Sequence, residues 1–325
     1  MTRTMQQLLF ALFGLAPTAF VAAQGGGSGT NVCTVNSIDP SSATVCKDKS
    51  ITFTASVTSG GSVTWSQSGG EITASGNKVD FKSGSPGNAS VTAKCGTSEQ
   101  KANICVVDDP GNPPSGTDKV DYNRVEVSPF INEDGGTRFN VDNFDVTVAA
   151  YFDCESGKWK GKVTKAVAKI EYFARLAGNA KEASVDAATT RDILCKMTKN
   201  LQDLGTGGDV QWYMKQAVEE HEKAHFEDWQ TELNKTFPKM KTTIENLSVD
   251  HECGKTTADD ALDALKNNDE LQQAIVDAFE DAADTYEALG DPNDRTESAE
   301  RAVVDPMIQQ LEQKRVQKNW SACPQ

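Results

Sequence analysis

The chain has 325 residues, of which 38% are hydrophobic and 24% charged, with 25 Gly and 11 Pro. Lys and Arg number 32 against 47 Asp and Glu, a net charge of −15. These values describe a globular protein long enough for about two domains, and they exclude a collagenous, a wholly disordered and a multi-span membrane chain. The acidic balance also argues against nucleic acid and anionic membranes as partners, because phosphate needs a basic face; it leaves room for a metal.

The first element in chain order is a leader. Arg3 precedes an apolar stretch from Leu8 to Ala16, and Val21-Ala22-Ala23 offers small residues for cleavage. Residues 1–23 read as a secretory signal peptide, and 24–30, rich in Gly and Ser, as a flexible leader. No later stretch reaches the ~18 apolar residues of a membrane span. The mature protein is therefore expected to be secreted or periplasmic, and its eight cysteines suit an oxidising compartment.

Residues 31–107 follow as a β-rich domain. Ser50 to Val57, Ser62 to Ser66 and Ala89 to Ala93 alternate apolar and polar residues with period two, and Gly-rich turns separate them. Short strands at this spacing predict a β-sandwich. The order Cys46, Trp65, Cys95 resembles a bacterial immunoglobulin-like domain, in which a core Trp packs on a disulfide between two sheets. That resemblance implies a Cys46–Cys95 bridge, with Cys33 and Cys105 tying the first strand to the last. The domain would act as a spacer, or would carry a surface ligand of its own.

Residues 108–118 hold Pro110, Pro113 and Pro114 among Gly and Ser, and read as an inter-domain linker. Four cysteines lie on each side of it. The expectation is two separately stapled domains with no disulfide between them.

Residues 119–325 read as an α+β domain, mainly α. Two strands are expected, at Phe144 to Tyr151 and at Val163 to Ile170, around a turn at Ser156-Gly157. Helices are expected at about 189–203, 210–236, 239–247, 257–266, 269–289 and 297–318, punctuated by Gly205, Pro238 and Gly290-Asp291-Pro292. Asp209 is the expected cap of the second of these helices. The exposed-looking acids Asp277, Glu280, Asp281, Asp284 and Glu287 predict a solvated face on the fifth.

The chemistry concentrates in His221-Glu222-Lys223-Ala224-His225, an HExxH run. On a helix, positions i and i+4 share one face, so both imidazoles can reach one ion. Glu222, beside that face, can take a proton from a water on the ion. Met214, Val218, His221, His225 and Trp229 recur at helical spacing, which aims the histidines inward. The motif and its placement resemble the zincin class of zinc metallopeptidases, which implies Zn2+ as the cofactor.

A third ligand is required. His251 is the one remaining histidine, and Glu245 follows His225 at close to a thermolysin-type spacing. HExxH on a long helix, then Tyr286-Glu287 at a helix end, then Thr296 opening a turn, is similar to a family of exported zinc proteases. In that family a His follows the Thr; here Glu297 stands in its place. The resemblance ranks Glu297 first, with Glu300, His251 and Glu245 as alternatives. The expected function is a secreted zinc-dependent hydrolase acting on protein or peptide, with Glu222 activating the water. The rival expectation is an adhesin-like binding protein whose metal is structural or idle. An open ligand position favours the enzyme, and a closed four-ligand site favours the rival.

Overall fold

Period-two alternation builds the amino-terminal region. Its strands are β1 (Val35–Asp39), β2 (Ser42–Cys46), β3 (Ser50–Val57), β4 (Thr64–Ser68), β5 (Gly70–Ser75), β6 (Lys78–Ser83), β7 (Gly87–Cys95) and β8 (Ser98–Val107). They form two sheets, in the orders β1-β3-β6-β5 and β2-β8-β7-β4. The inward residues of both, among them Phe53, Phe81, Val91 and Ile104, close one core. Each such large side chain, once buried, contributes roughly 1.5–3 kcal/mol. Trp65 lies at the edge of this core, and its Nε1 donates to the Gly76 carbonyl at 3.3 Å.

This computed structural model describes residues 33–58, 61–108, 113–131, 134–176, 178–205 and 210–324. The expected signal peptide and flexible leader, residues 109–112 of the linker, and Asp209 lie outside the described residues.

The disulfides correct the expected pairing. They are Cys33–Cys95, Cys46–Cys154, Cys105–Cys253 and Cys195–Cys323. Neither Cys46–Cys95 nor Cys33–Cys105 forms, and two bridges cross between the halves. The reason lies in the strands. Cys46 ends β2, which runs parallel to β8 beside Val107, while the inward positions of β3 hold Phe53 and Ala55. Cys46 and Cys105 therefore share one end of the sandwich, and that end abuts the second half of the chain. Cys46, Phe152, Trp159 and Ala261 make a small core across the junction.

The second half is organised by one long strand. Its strands are β9 (Asp121–Glu126), β10 (Gly135–Arg138), β11 (Phe144–Asp153), β12 (Lys158–Ala174), β13 (Lys181–Glu182), β14 (Trp212–Tyr213) and β15 (Ser248–Asp250). β11 and β12 pair antiparallel from Phe144↔Ala168 to Asp153↔Lys158, around a turn in which Gly157 adopts φ 67°. At its far end β12 pairs with β10, from Gly135↔Ala174 to Arg138↔Glu171. β9 joins it in parallel, and β15 pairs with its first three residues. The linker's described end lies on this sheet: Thr117 N–H donates to the Val163 carbonyl at 2.9 Å.

The helices are α1 (Arg191–Gln202), α2 (Lys215–Asn246), α3 (Ala258–Lys266), α4 (Asp269–Leu289) and α5 (Asp294–Gln317). The expected break at Pro238 does not occur, and α2 runs through it as one helix of 32 residues. A proline inside a helix costs about 3 kcal/mol. Phe237, Met240 and Ile244 beside it are buried in the main core, and their burial outweighs that cost. Trp229 and Leu233 pack in the same core against Val163 and Ile170 of the sheet, and α4 covers it with Leu271, Ala274, Ala278 and Ala282. α1 and α5 share a second core through Leu194, Met197, Val304 and Leu311, pinned by Cys195–Cys323. No described helix is long and apolar enough to cross a membrane.

Candidate metal centre

α2 carries His221, Glu222 and His225 past the end of β12 where β10 is paired. The helical repeat brings the two imidazoles together: their Nε2 atoms are 3.1 Å apart. The loop between α4 and α5 supplies a third donor. Asp291 Oδ1 lies 3.1 Å from His221 Nε2 and 3.3 Å from His225 Nε2. Ligand atoms 2.0–2.1 Å from a tetrahedral ion stand about 3.3–3.4 Å from each other. The three atoms thus have the spacing that a small divalent cation requires, and the set of two imidazoles and a carboxylate suits zinc.

Without an ion, a proton must hold these groups together. Burial by itself would depress the His221 imidazole, but the hydrogen bond to Asp291 and the nearby charge of Glu300 outweigh it and push its pKa up to about 10. The same contacts, from His221 and His225, hold the Asp291 carboxyl well below the usual carboxylate range. A metal would displace that proton.

Glu222 is buried beside the triad but outside it. Thr137 Oγ1, on β10, donates to its Oε2 at 2.7 Å, and burial raises its pKa above the usual carboxylate value. β10 approaches so closely that a Cβ at Gly135 would stand 2.2 Å from Glu222 Oε1 and 2.8 Å from Val218 Cγ1. The glycine is thus required by proximity, since its own backbone is not in the left-handed region.

The expected third ligand is corrected. Asn293 caps α5, accepting from the N–H groups of Arg295 and Thr296, so the helix begins three residues before Glu297. Thr296, Glu300 and Val304, four residues apart, then form its buried face. Glu297 is turned roughly 100° off that face. Its side chain is half exposed and lies 3.6 Å from Arg301. Glu300 reaches the site on the far side of His221: its Oε1 accepts from the Tyr213 hydroxyl at 3.0 Å and stands 3.6 Å from Nδ1. That distance is an ion-pair contact, longer than a hydrogen bond. Glu245 lies 20 residues after His225 on one continuous helix, some 30 Å away along the axis; it pairs with Lys162 at 3.2 Å. His251 is at the opposite end of β12, where Trp159 Nε1 donates to its Nδ1 at 3.2 Å.

Sequence spacing did not point to Asp291 or to what holds it. Gly290-Asp291-Pro292 looked like a helix breaker and nothing more. Two residues on, Asn293 Nδ2 donates to Asp228 Oδ2 at 3.2 Å, and Arg295 pairs with Asp228 Oδ1 at 3.0 Å. Asp228 is buried on α2 one turn beyond His225. The helix that carries the histidines therefore also anchors the loop that carries the third donor. The signal was a buried-face acid at His225+3, which helical spacing could have flagged. Tyr286, at the end of α4, stacks on Trp229 with ring centroids 4.3 Å apart, its ring 5.8 Å from that of His225. Burial raises its pKa and keeps the hydroxyl protonated. The expected acidic stripe is exposed; its Asp281 faces Lys239 at 3.4 Å.

Two hollows flank the triad. The larger, about 800 Å3, extends toward α1 and α5; the smaller, about 250 Å3, extends toward Phe130 and Tyr286. Both are lined by Gly135, Glu222 and Asp291, so the centre sits on the ridge between them.

No protein-family model and no curated protein matches this sequence. Among solved structures, domains 4 and 5 of the S-layer protein SbsC are 22% identical, over 22% of this chain and 44% of that chain, with a TM-score of 0.19. Domain I10 of titin is 16% identical over 23% of this chain and 98% of that one, TM-score 0.19. The Yersinia pseudotuberculosis adhesin InvE is 17% identical over 26% and 30%, TM-score 0.19. Likeness at this level carries no argument about this chain.

Proposed function

We propose that the protein is an exported, zinc-dependent hydrolase of peptide bonds. One observation carries the reading: His221 Nε2, His225 Nε2 and Asp291 Oδ1 converge within 3.3 Å beside a buried carboxylate, on a ridge open to two hollows. Three protein donors with an open side are the pattern of a catalytic zinc, whereas a structural zinc is closed by four. The four disulfides support export to an oxidising compartment.

When bound, the ion supplies Lewis acidity for the scissile carbonyl and for the attacking water. The chain's own residues do the rest. Glu222 takes the water's proton and passes it to the leaving amine; its raised pKa brings it nearer the working pH of a general base. Thr137 fixes one carboxylate oxygen and leaves the other for this work. Tyr286, protonated and lining the smaller hollow, donates to the oxygen that gains charge. Glu300 sets a negative charge beside His221, and Asp228 holds the Asp291 loop through Asn293.

The test is metal analysis of the mature protein with a peptide-cleavage assay on the same sample. One zinc per chain is expected. Glu222→Gln should retain the zinc and lose hydrolysis, because this residue is no ligand. Full activity in that variant, or a wild type that takes up no zinc, would sink the reading.

A further inference from the structure

The two hollows differ in chemistry, and that difference specifies a substrate. This rests on the hydrolase reading above. The larger hollow is lined by Asp134, Asp203, Glu297 and Glu300 in addition to Glu222 and Asp291, against a single lining Lys or Arg among the described residues, Arg301. Zinc with Asp291 and Glu222 is neutral in sum, so the charge that a substrate meets there is set by the remaining acids, Glu297 and Glu300 foremost, and by Arg301. Some of this charge is answered outside the hollow: Lys199 donates to Asp203 at 2.7 Å. Arg301 lies 3.6 Å from Glu297, a loose pair on an exposed turn. Beside the shared Glu222 and Asp291 and the His225 ligand, the smaller hollow is lined by Phe130, Ile131, Tyr286 and three glycines, with Thr137 and the rim carboxylate of Glu287 as its further polar groups. Ile131 is 41% exposed, an unusual state for a large aliphatic side chain in this molecule.

An acidic cavity in a chain of net charge −15 repels carboxylates and concentrates cations. At about 800 Å3 it has the size of a ligand pocket and admits a long side chain with its neighbours. The smaller hollow, about 250 Å3 and walled by aromatic rings, admits one apolar side chain. The ridge residues Gly135, Glu222 and Asp291 belong to both hollows, so a chain crossing the centre places side chains from opposite sides of the scissile bond into opposite hollows.

We infer that the protein cleaves cationic peptides, at bonds that have Lys or Arg on the side of the large hollow and an aromatic or large aliphatic residue on the other. The large hollow selects by charge, and the small one by apolar fit. Acidic residues next to the bond are excluded by repulsion from Glu297 and Glu300.

The experiment has two arms. In the first, zinc-loaded mature protein digests a mixed peptide library, and mass spectrometry reads the cut sites. Cuts should be enriched for Lys or Arg on one side and for aromatic or large aliphatic residues on the other. In a matched peptide series, kcat/KM for Lys over Gln at that position should fall roughly five- to tenfold in Glu297→Lys, the scale of one charge contact in a cleft. Glu280→Lys, the same charge change on the exposed face of α4, should leave the ratio unchanged. In the second arm, zinc-loaded Glu222→Gln is titrated with fluorescent Lys-Phe and Glu-Phe peptides, and the cationic one should bind more tightly. Cleavage without dependence on charge overturns this inference and leaves the hydrolase reading standing. Selective binding of the cationic peptide with no cleavage by the wild type supports the charge preference and overturns the hydrolase reading. A ratio that falls equally in Glu280→Lys assigns the preference to bulk charge and overturns the role given to the hollow.

Discussion

His225 is buried and His251 half-buried, and they stand at opposite ends of β12. Around His251 every polar need is met. Trp159 donates to Nδ1, Nε2 lies 3.3 Å from Cys105 Sγ, and the ring of Phe152 packs on the imidazole at 5.3 Å. Burial lowers its pKa and keeps it neutral. At the other end, His225 and His221 face each other and a carboxylate, the Nδ1 atoms of both lack a hydrogen-bond partner, and hollows open on either side. Burial alone therefore does not mark a ligand. His251 is surrounded by groups that complete it, while His221 and His225 turn their Nε2 atoms toward each other and toward Asp291.

That contrast can be broken most directly by truncation. His225→Ala should lower zinc affinity by more than the 10–100-fold that loss of an outer partner costs, measured by competition with a chelating dye. His251→Ala should leave affinity unchanged and lower the melting temperature instead. Glu297→Ala should also leave affinity unchanged, and Asp291→Ala should behave like His225→Ala. A zinc loss in His251→Ala would erase the distinction between the two ends.

The next effect falls on rate alone. Gly135→Ala pushes a methyl group onto Glu222 Oε1. Misplacing the base by about 1 Å should reduce kcat up to ~100-fold, with zinc content intact by metal analysis. Asp228→Ala should do the reverse. By freeing Asn293 and the Asp291 loop it should weaken zinc binding some 10–100-fold, read by the same dye competition.

At the sandwich end the measure is stability. Replacing Cys46 and Cys154 together by Ser should cost roughly 2–5 kcal/mol in denaturant unfolding and leave zinc affinity as it was. The smallest effect is a pair of opposed pH slopes. Hydrogen bonds from Lys160 and Ser156 bring the Asp153 carboxyl down to about 2. Its folded value is below its unfolded one, so its stabilisation is present above pH ~4 and lost as pH falls toward 2, by up to about 1 kcal/mol for a partly exposed pair. Asp153→Asn should remove that slope. In metal-free protein His221 has the opposite sign: its raised value stabilises below pH ~6.5, and the gain disappears as pH rises through about 10. His221→Gln should flatten the alkaline side only.

Local periodicity carried much of this architecture. The alternating runs became β3, β4, β7, β11 and β12, and the helices at 189–203, 257–266 and 269–289 stand within two residues of their expected ends. HExxH pointed to three residues of the candidate site, because one helix determines where its own side chains point. Asp291 was not legible, since a loop acid has no period and is brought to the site by packing of α4 and α5 on α2. Glu297 failed for a related reason: Asn293 sets where α5 starts, and one residue of phase decides which side chain turns inward. The disulfides failed because the order Cys46, Trp65, Cys95 was read as a bridge between the two sheets, whereas Cys46 ends an edge strand at the junction.

The two crossing disulfides also change what the linker is. A protease cut anywhere between Val107 and Asp118 would leave both pieces covalently joined through Cys46–Cys154 and Cys105–Cys253. The clamp grips the hairpin end of β12, and the cleft lies at the other end, up to about 50 Å along the strand. If the sandwich is anchored and the molecule is pulled, the load enters the sheet through sulfur and bypasses the 108–118 segment. The cleft is thus held at a set reach from its anchor, like the jaw of a tool from its handle, and does not swing on a tether.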